Sequence, residues 1–376
     1  MQQYDLAIVG AGVLGLAHAV HAAQSGLSVA VFDRSGVADG ASVRNFGMLA
    51  IVAQRPGDEL DSARRTLAHW QNFGAEAGIT LRQAGCLFVG RTEQELAVLH
   101  ECAANAGRHG QSFVPVARED LGHYANGLRT DAALGGLWSK DAWKLDQRSA
   151  MAQLAQWLEL RHGVTFYMGC EVRGIEAGVL DTAKGAVRAG RTVICGGSEF
   201  SRLFPDQFAA SGVTTCQLQM LRTAPQPDGF QLSPFVLGGL SLPRYSAFAD
   251  CPSLPDLRAT LEQSRPREMI NGIHLIAAQE DDGSITLGDS HHYGADAPPE
   301  RLAEVDTLLL NEASALLALP DVTITQRWLG HYAHLAGKAS LVLHPAQGVT
   351  AVTMVNGQGM THGFALAEDV ISELIG

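Results

Sequence analysis

Asp5-Leu6-Ala7-Ile8-Val9-Gly10-Ala11-Gly12-Val13-Leu14-Gly15 carries a short apolar run into three spaced glycines, and Asp33 closes the next apolar run 18 residues beyond Gly15. Leu6 to Val9 suits a buried parallel strand. Gly10 permits a tight turn, Gly12 lets the backbone approach a pyrophosphate, and Gly15 lets the following helix pack closely on the sheet. The spacing predicts a helix from Val13 to Ser25, with Gly26 as its stop. Its first amides then point at the phosphates, where the helix dipole favours negative charge. Leu27 to Phe32 reads as the second strand, and a carboxylate at Asp33 accepts hydrogen bonds from ribose hydroxyls. Strand, glycines, helix and acid together predict a dinucleotide site rather than a bare turn.

A second glycine opening lies near the other end. Val349 to Val355 forms an apolar run that enters Asn356-Gly357-Gln358-Gly359-Met360-Thr361 and then a helix-like tail. It reads as a strand-to-helix turn returning to the same cofactor. A nicotinamide enzyme usually needs only the first segment, whereas a flavoprotein enclosing FAD commonly uses both.

The chain has 376 residues, enough for about two domains. A hydrophobic fraction of 46% with 18% charged residues describes a globular protein with ample core. The net charge of −12 argues against nucleic acid or an anionic membrane as main partner. No apolar run reaches the roughly 20 residues of a membrane span, and the early first strand leaves no room for a signal peptide. Six scattered cysteines without a Cys-x-x-Cys pair read as buried free thiols in a reducing cytoplasm, not as disulfides or a metal site.

Leu60, Ala63, Leu67 and Trp70 recur at helical spacing, Gly85 to Val89 reads as a strand, and 93–106 and Gln147 to Leu160 read as helices. Val164 to Tyr167, Glu171 to Ile175 and Arg191 to Cys195 read as strands, the last running into Gly196-Gly197. From 216 to 297 strands and turns alternate, including Ile273 to Ile276 and Ser284 to Leu287, before a helix over 299–317. The expected fold is α/β: a discontinuous Rossmann-like cofactor domain (1–84, 145–215 and 325–376) interleaved with a mixed or antiparallel substrate domain (85–144 and 216–324).

The N-terminal fingerprint, Ala41 to Leu49, the Val172 strand, Ile194 to Gly197, Arg327-Trp328-Leu329-Gly330 and Gly357 to Thr361 occur in an order that resembles the D-amino-acid oxidase superfamily, which contains glycine oxidase and sarcosine oxidase. Gln219 to Thr223, Gly288-Asp289-Ser290-His291 and Arg44-Asn45-Phe46-Gly47 look like an organophosphonate-associated branch. The resemblance implies FAD and hydride loss from a carbon next to an amine, the imine then hydrolysing to a carbonyl and an amine. It places Val13, Leu14 and Gly15 at the pyrophosphate, and Asp33 and Arg34 at the ribose. Ala41, Ser42, Phe46, Gly47 and Met48 would line the phosphates and flavin. Val172 would hold the adenine through its backbone, and Gly196 belongs to the third glycine junction. Gly357, Gln358, Gly359, Met360 and Thr361 would give N–H groups to the flavin pyrimidine edge and stabilise negative charge on the reduced ring.

Two departures stand out. The arginine that often follows the Trp-x-Gly turn and clamps a substrate carboxylate is replaced by His331-Tyr332, so the clamp lies elsewhere or the substrate lacks an α-carboxylate. Sarcosine-oxidase-like members tie the flavin to a cysteine late in the chain; none follows Cys251 here, so the resemblance implies noncovalent FAD by that route. Arg44 and His291 are candidate anion partners; the blander readings are a carboxylate pair and a turn histidine. Tyr245, Tyr332 and Lys338 are weaker candidates, Trp328 reads as core at the domain junction, and Arg64 and Arg65 as a solvated helix face. These features predict an FAD-dependent oxidoreductase for a small anionic amine, an aminophosphonate or its N-methyl derivative, with O2 or another electron acceptor. A D-amino-acid, glycine or sarcosine-type oxidase, a noncatalytic FAD scaffold and a nicotinamide dehydrogenase are the alternatives.

Overall fold

Leu6, Ala7 and Ile8 are fully buried because their strand, Gln3–Val9, has parallel neighbours on both sides: Val29–Asp33 and Gly185–Ile194. The far end of Gly185–Ile194 pairs in parallel with Val349–Met354, so four strands from distant parts of the sequence stand side by side. Three of them end in glycine at the same edge, at Gly10, Gly196 and Gly357. In an open parallel sheet that edge is where ligands bind. The computed structural model describes residues 1–106 and 110–376.

This first sheet has eight strands, extended by Thr165–Met168 beside Val29–Asp33 and by the antiparallel hairpin Val172–Glu176 and Val179–Thr182. Helix Val13–Gln24 covers one face and packs against the C-terminal helix Gly359–Ile375, whose Gly359 comes against Val13 and whose Gly363 comes against Leu14. Helices Asp58–Gly74 and Gln147–His162 complete that layer around buried Trp70, Phe364 and Leu154.

The second sheet has nine strands and is mainly antiparallel. Its long pair, Thr214–Thr223 with Ile324–His334, carries ten register positions, and Cys86–Gly90 joins Phe235–Leu237 in its parallel pair. Buried aliphatic side chains of this sheet pack on helices Glu93–Ala106 and Ala303–Leu316. A three-stranded ribbon of Met48–Leu49, Trp143–Lys144 and Arg82–Gln83 joins the two halves.

Several elements depart from the sequence pattern for local reasons. The second strand starts at Val29, not Leu27, because Asp5 and Ser28 exchange hydrogen bonds that hold the preceding residues as a turn. The helix expected over 299–317 starts at Ala303, because Gln219 Oε1 accepts the Leu302 N–H at 2.6 Å. The strand expected at Ile273 starts at Ile276, although His274 and Asp289 still exchange both backbone hydrogen bonds, at 3.1 and 2.8 Å. Arg65 is not merely solvated: it pairs with Glu368 and Asp369 at 2.7 and 2.5 Å and ties two helices together. All six cysteines are buried and free. Among the described residues no helix is long and apolar enough to cross a membrane.

Candidate active site

One cavity of about 1140 Å³ runs from the glycine edge of the first sheet to the inner face of the second. All the site residues expected from the sequence line it except Gly15 and Gly47. Those two work from behind. A Cβ at Gly15 would collide with the Gly10 carbonyl, which is how helix and turn close on one another. Gly47 has φ +66° and lies against the Leu145 carbonyl, where a side chain has no room.

The N-terminal turn leaves room for the close approach of a ligand. Gly12 has open space on its cavity side except for Ser42 Oγ, 3.0 Å from where a Cβ would sit. Ser42 Oγ accepts the Val13 N–H at 2.9 Å, and Asp33 Oδ2 accepts the Ala11 N–H at 2.7 Å. Asp33 thus braces the glycine turn with one oxygen and holds the Ser35 N–H with the other, at 2.8 Å, each oxygen keeping a lone pair for a further donor. The Leu14 and Gly15 amides come too early in the helix for intrahelical partners. Arg34 is half-exposed and pairs with Glu199 at 2.9 Å; Val172 begins its strand at the same end of the cavity.

At the other end Gly357 takes φ +77° and carries the chain into helix Gly359–Ile375. Gln358 and Gln54 hydrogen-bond at 2.7 Å, and His362 Nε2 lies 3.1 Å from both their side-chain oxygens. The Thr361 hydroxyl accepts the Ala50 N–H at 3.0 Å and ties this turn to the segment after Met48. Behind Phe46, buried Lys144 donates to the Phe46 carbonyl at 2.9 Å and pairs with buried Glu280 at 3.0 Å. A cavity of this size with three glycine openings and unpaired helix-start amides fits an extended dinucleotide plus a small substrate.

The second sheet supplies the polar wall opposite. Arg244, absent from the sequence-based candidates, donates to Tyr293 Oη at 3.1 Å and Tyr332 Oη at 3.2 Å. Burial disfavours its charge, but Tyr332, Tyr293 and Asp289 more than restore it, so Arg244 stays a cation. Burial drives the hydroxyls of Tyr332 and Tyr245 to higher pKa, leaving both protonated. His274, Asp289 and His291 are buried side by side, with their ligand-capable atoms within 4.8 Å of one another. Burial would raise the Asp289 carboxyl, but the positive field of His291, His274 and Arg244 brings it down to about 2. Burial and then Arg244 hold His291 well below 6.5, so the lasting source of that field is Arg244. His291 Nδ1 lies 3.1 Å from the Gly272 carbonyl, a position for a donor N–H, so Nε2 carries the lone pair of the neutral ring.

Arg44 lines the cavity but gives two N–H groups to carbonyls, of Asp39 at 2.7 Å and Leu329 at 3.0 Å. Trp328 donates to the Arg44 carbonyl at 3.2 Å while Arg222 stacks on its ring at 5.2 Å. His331, which follows the Trp-x-Gly turn, is exposed, and Lys338 is an exposed rim residue. Sequence reasoning missed Arg244 because Pro243-Arg244-Tyr245 matches no spaced motif. Only the adjacent Tyr245, already a candidate, pointed to it.

The family model described as DAO, FAD dependent oxidoreductase, matches residues 5–373, and the chain belongs to that family. It is 25% identical over 383 aligned positions to the probable oxidoreductase OrdL of Rhizobium meliloti (strain 1021), covering 95% of this chain and 79% of that one. It is 24% identical over 235 residues to gamma-glutamylputrescine oxidoreductase of Escherichia coli (strain K12), with 58% of this chain matched to 54% of that one, about half its length. Glycine oxidase from Geobacillus kaustophilus superposes with a TM-score of 0.77 at 20% identity, covering 100% of this chain and 95% of that chain. The protein is thus an FAD-dependent oxidoreductase, which sets aside the nicotinamide reading.

Proposed function

We propose that the chain oxidises the C–N bond of a small anionic amine, with an aminophosphonate or N-methyl aminophosphonate as substrate. The observation that carries this reading is Arg244, a cation facing the cavity together with the hydroxyls of Tyr293 and Tyr332 from separate strands. A tetrahedral anion offers three acceptor oxygens and suits donors converging from several elements. Arg244 replaces His291 as the leading anion partner, because the neutral His291 ring turns a lone pair, not an N–H, away from Gly272. Arg44 gives two of its N–H groups to backbone carbonyls, which ties it to the rim.

Bound FAD supplies the two-electron acceptor for hydride leaving the carbon next to the amine. The chain's own groups hold and orient the substrate and exclude water. The amine is unprotonated when hydride leaves, its lone pair forming the iminium, which gives a proton to water and, as the imine, takes up water to yield a carbonyl compound and an amine. Gly12 to Leu14, Asp33 and Ser42 would hold the pyrophosphate and ribose, and Gly357 to Thr361 the pyrimidine edge. FAD is held without a covalent bond.

A guanidinium such as Arg244 also suits a planar carboxylate, which supports an amino-acid, glycine or sarcosine-type oxidase as the second reading. Anaerobic flavin bleaching by 2-aminoethylphosphonate, its N-methyl form, glycine, sarcosine and D-alanine tests both. Faster reduction by either phosphonate than by the amino acids is expected. Glycine or D-alanine reducing the flavin far faster than both phosphonates overturns the phosphonate assignment.

A further inference from the structure

Asp289 lines the cavity although it is only 6% exposed, and its Oδ1 has no well-aligned donor. Its place is fixed by the paired backbone bonds to His274. His274 Nε2 lies 2.9 Å from Oδ1, in ion-pair range but off the line of a well-directed hydrogen bond, and Oδ2 faces His291 Nε2 at 3.8 Å. Buried carboxylate oxygens in native proteins nearly always have a donor. This one borders the space a substrate would enter, on the same wall as Arg244.

Two kinds of occupant suit that oxygen. His274, Asp289 and His291 are spaced for a divalent metal, and Ser241 Oγ and the Gly272 carbonyl lie at the outer ring nitrogens, at 3.3 and 3.1 Å. The positive field of Arg244 acts on all three of these groups and opposes a dication there. An amine carries at most one positive charge and brings the N–H that the oxygen lacks.

We propose that Asp289 Oδ1 receives an N–H of the substrate amine while Arg244 receives its anion, so that one wall of the cavity is a receptor for a molecule carrying both groups. The proposal rests on the amine-oxidising reading above and deepens it: a small anion without an amine satisfies Arg244 and leaves Asp289 unpaired. Such selectivity follows from the penalty of an unmatched buried polar group. Asp289 is then the group that separates amine-bearing anions from their deaminated analogues, whether the anion is a phosphonate or a carboxylate.

Calorimetry on dithionite-reduced, anaerobic holoenzyme reads binding without turnover. The ligand pairs are 2-aminoethylphosphonate with ethylphosphonate, and glycine with acetate. Asp289→Asn is expected to weaken the amine-bearing member of the pair that binds by about ten- to a hundredfold and to change its deaminated partner less than about twofold. A wild-type measurement covers the case in which the variant does not fold: the N,N,N-trimethyl form of 2-aminoethylphosphonate, which keeps the charge but has no N–H, is expected to bind at least about tenfold more weakly than the parent. Equal loss for both members of a pair, no loss for either, or equal binding of the trimethyl and parent forms overturns the proposal. So does a stoichiometric transition metal in purified wild type that is lost in Asp289→Asn, because Oδ1 then belongs to a metal. Flavin bleaching by the amine panel is scored separately: its failure removes the proposed reaction, whereas the binding ratios judge Asp289.

Discussion

The ring of Tyr332 lies so close over Gly357 that a methyl group at Gly357 would come within 3.0 Å of its Cζ. Tyr332 in turn receives a hydrogen bond from Arg244. The glycine opening of the first sheet and the charged wall of the second are therefore in direct contact through one aromatic ring.

Gly357→Ala should strain a φ of +77° and push Tyr332 away from Arg244. A non-glycine residue in this region costs about 1–3 kcal/mol. A lowered melting temperature with weaker substrate binding is expected, and Tyr332→Phe should reproduce the binding loss with little change in melting. Unchanged substrate affinity in both variants would show that the contact does not serve the site.

The protein should purify yellow and release its FAD on denaturation, since no cysteine follows Cys251. Gly12→Val should give mostly apoprotein, because the side chain fills the approach beside Ser42 Oγ. Absorbance at the flavin band of the supernatant after acid precipitation checks the first, and flavin content per polypeptide the second. Flavin left in the pellet, or full occupancy in Gly12→Val, contradicts the assignment.

Replacing Arg244 by Met should weaken the substrate roughly ten- to a hundredfold, the equivalent of about 1.5–3 kcal/mol for a hydrogen bond to a charged group. Arg44→Met should cost less, since two of that guanidinium's N–H groups hold backbone carbonyls. Steady-state and anaerobic reduction kinetics rank the two. A larger loss at Arg44 reverses the assignment.

Much of the first sheet with its glycine turns was legible in the sequence because its signals are local. A strand, three glycines and a helix start occupy consecutive positions, and each glycine has one steric task. The polar wall was less legible because it is assembled across strands. His274 meets Asp289 through a backbone exchange between residues 15 apart, and Arg244 reaches Tyr293 and Tyr332 across 49 and 88 positions. A single arginine in a loop has no periodicity to announce it. His291 was found by its neighbours, but its ring orientation depends on the Gly272 carbonyl, which no spacing encodes.

Lys144→Met should be strongly destabilising. It would leave Glu280, fully buried, without its 3.0 Å partner and free the Phe46 carbonyl. Breaking a buried ion pair from one side costs about 3–5 kcal/mol, so the thermal midpoint should fall clearly, whereas Lys144→Met combined with Glu280→Gln should recover part of it. A melting temperature equal to wild type in the single variant would refute the role of the pair.

Stability should fall on acidification from about pH 6.5 toward 4. Burial holds His18, His21 and His362 at about 4, whereas unfolded imidazoles titrate near 6.5. Between those values the unfolded chain binds more protons than the folded one. The stabilisation from neutral, buried rings is thus complete above 6.5 and is lost as the pH drops through 4. Thermal melts from pH 7.5 to 4.5 measure the slope, and His362→Gln should flatten it. A melting temperature independent of pH across that window is the contrary outcome.

The alignment of Gly10, Gly196 and Gly357 along one sheet edge has a consequence for how the protein matures. Strand Val349–Met354, paired on its other side with the antiparallel Ser340–Ala346, joins Gln3–Val9 by way of Gly185–Ile194, so the edge is incomplete until these separated stretches have folded together. The Gly10 fingerprint is one third of a clasp whose last third, at Gly357, follows far later along the chain. FAD that touches all three turns would bind only once their strands stand together, and by mass action its free concentration sets how firmly the assembled clasp stays shut.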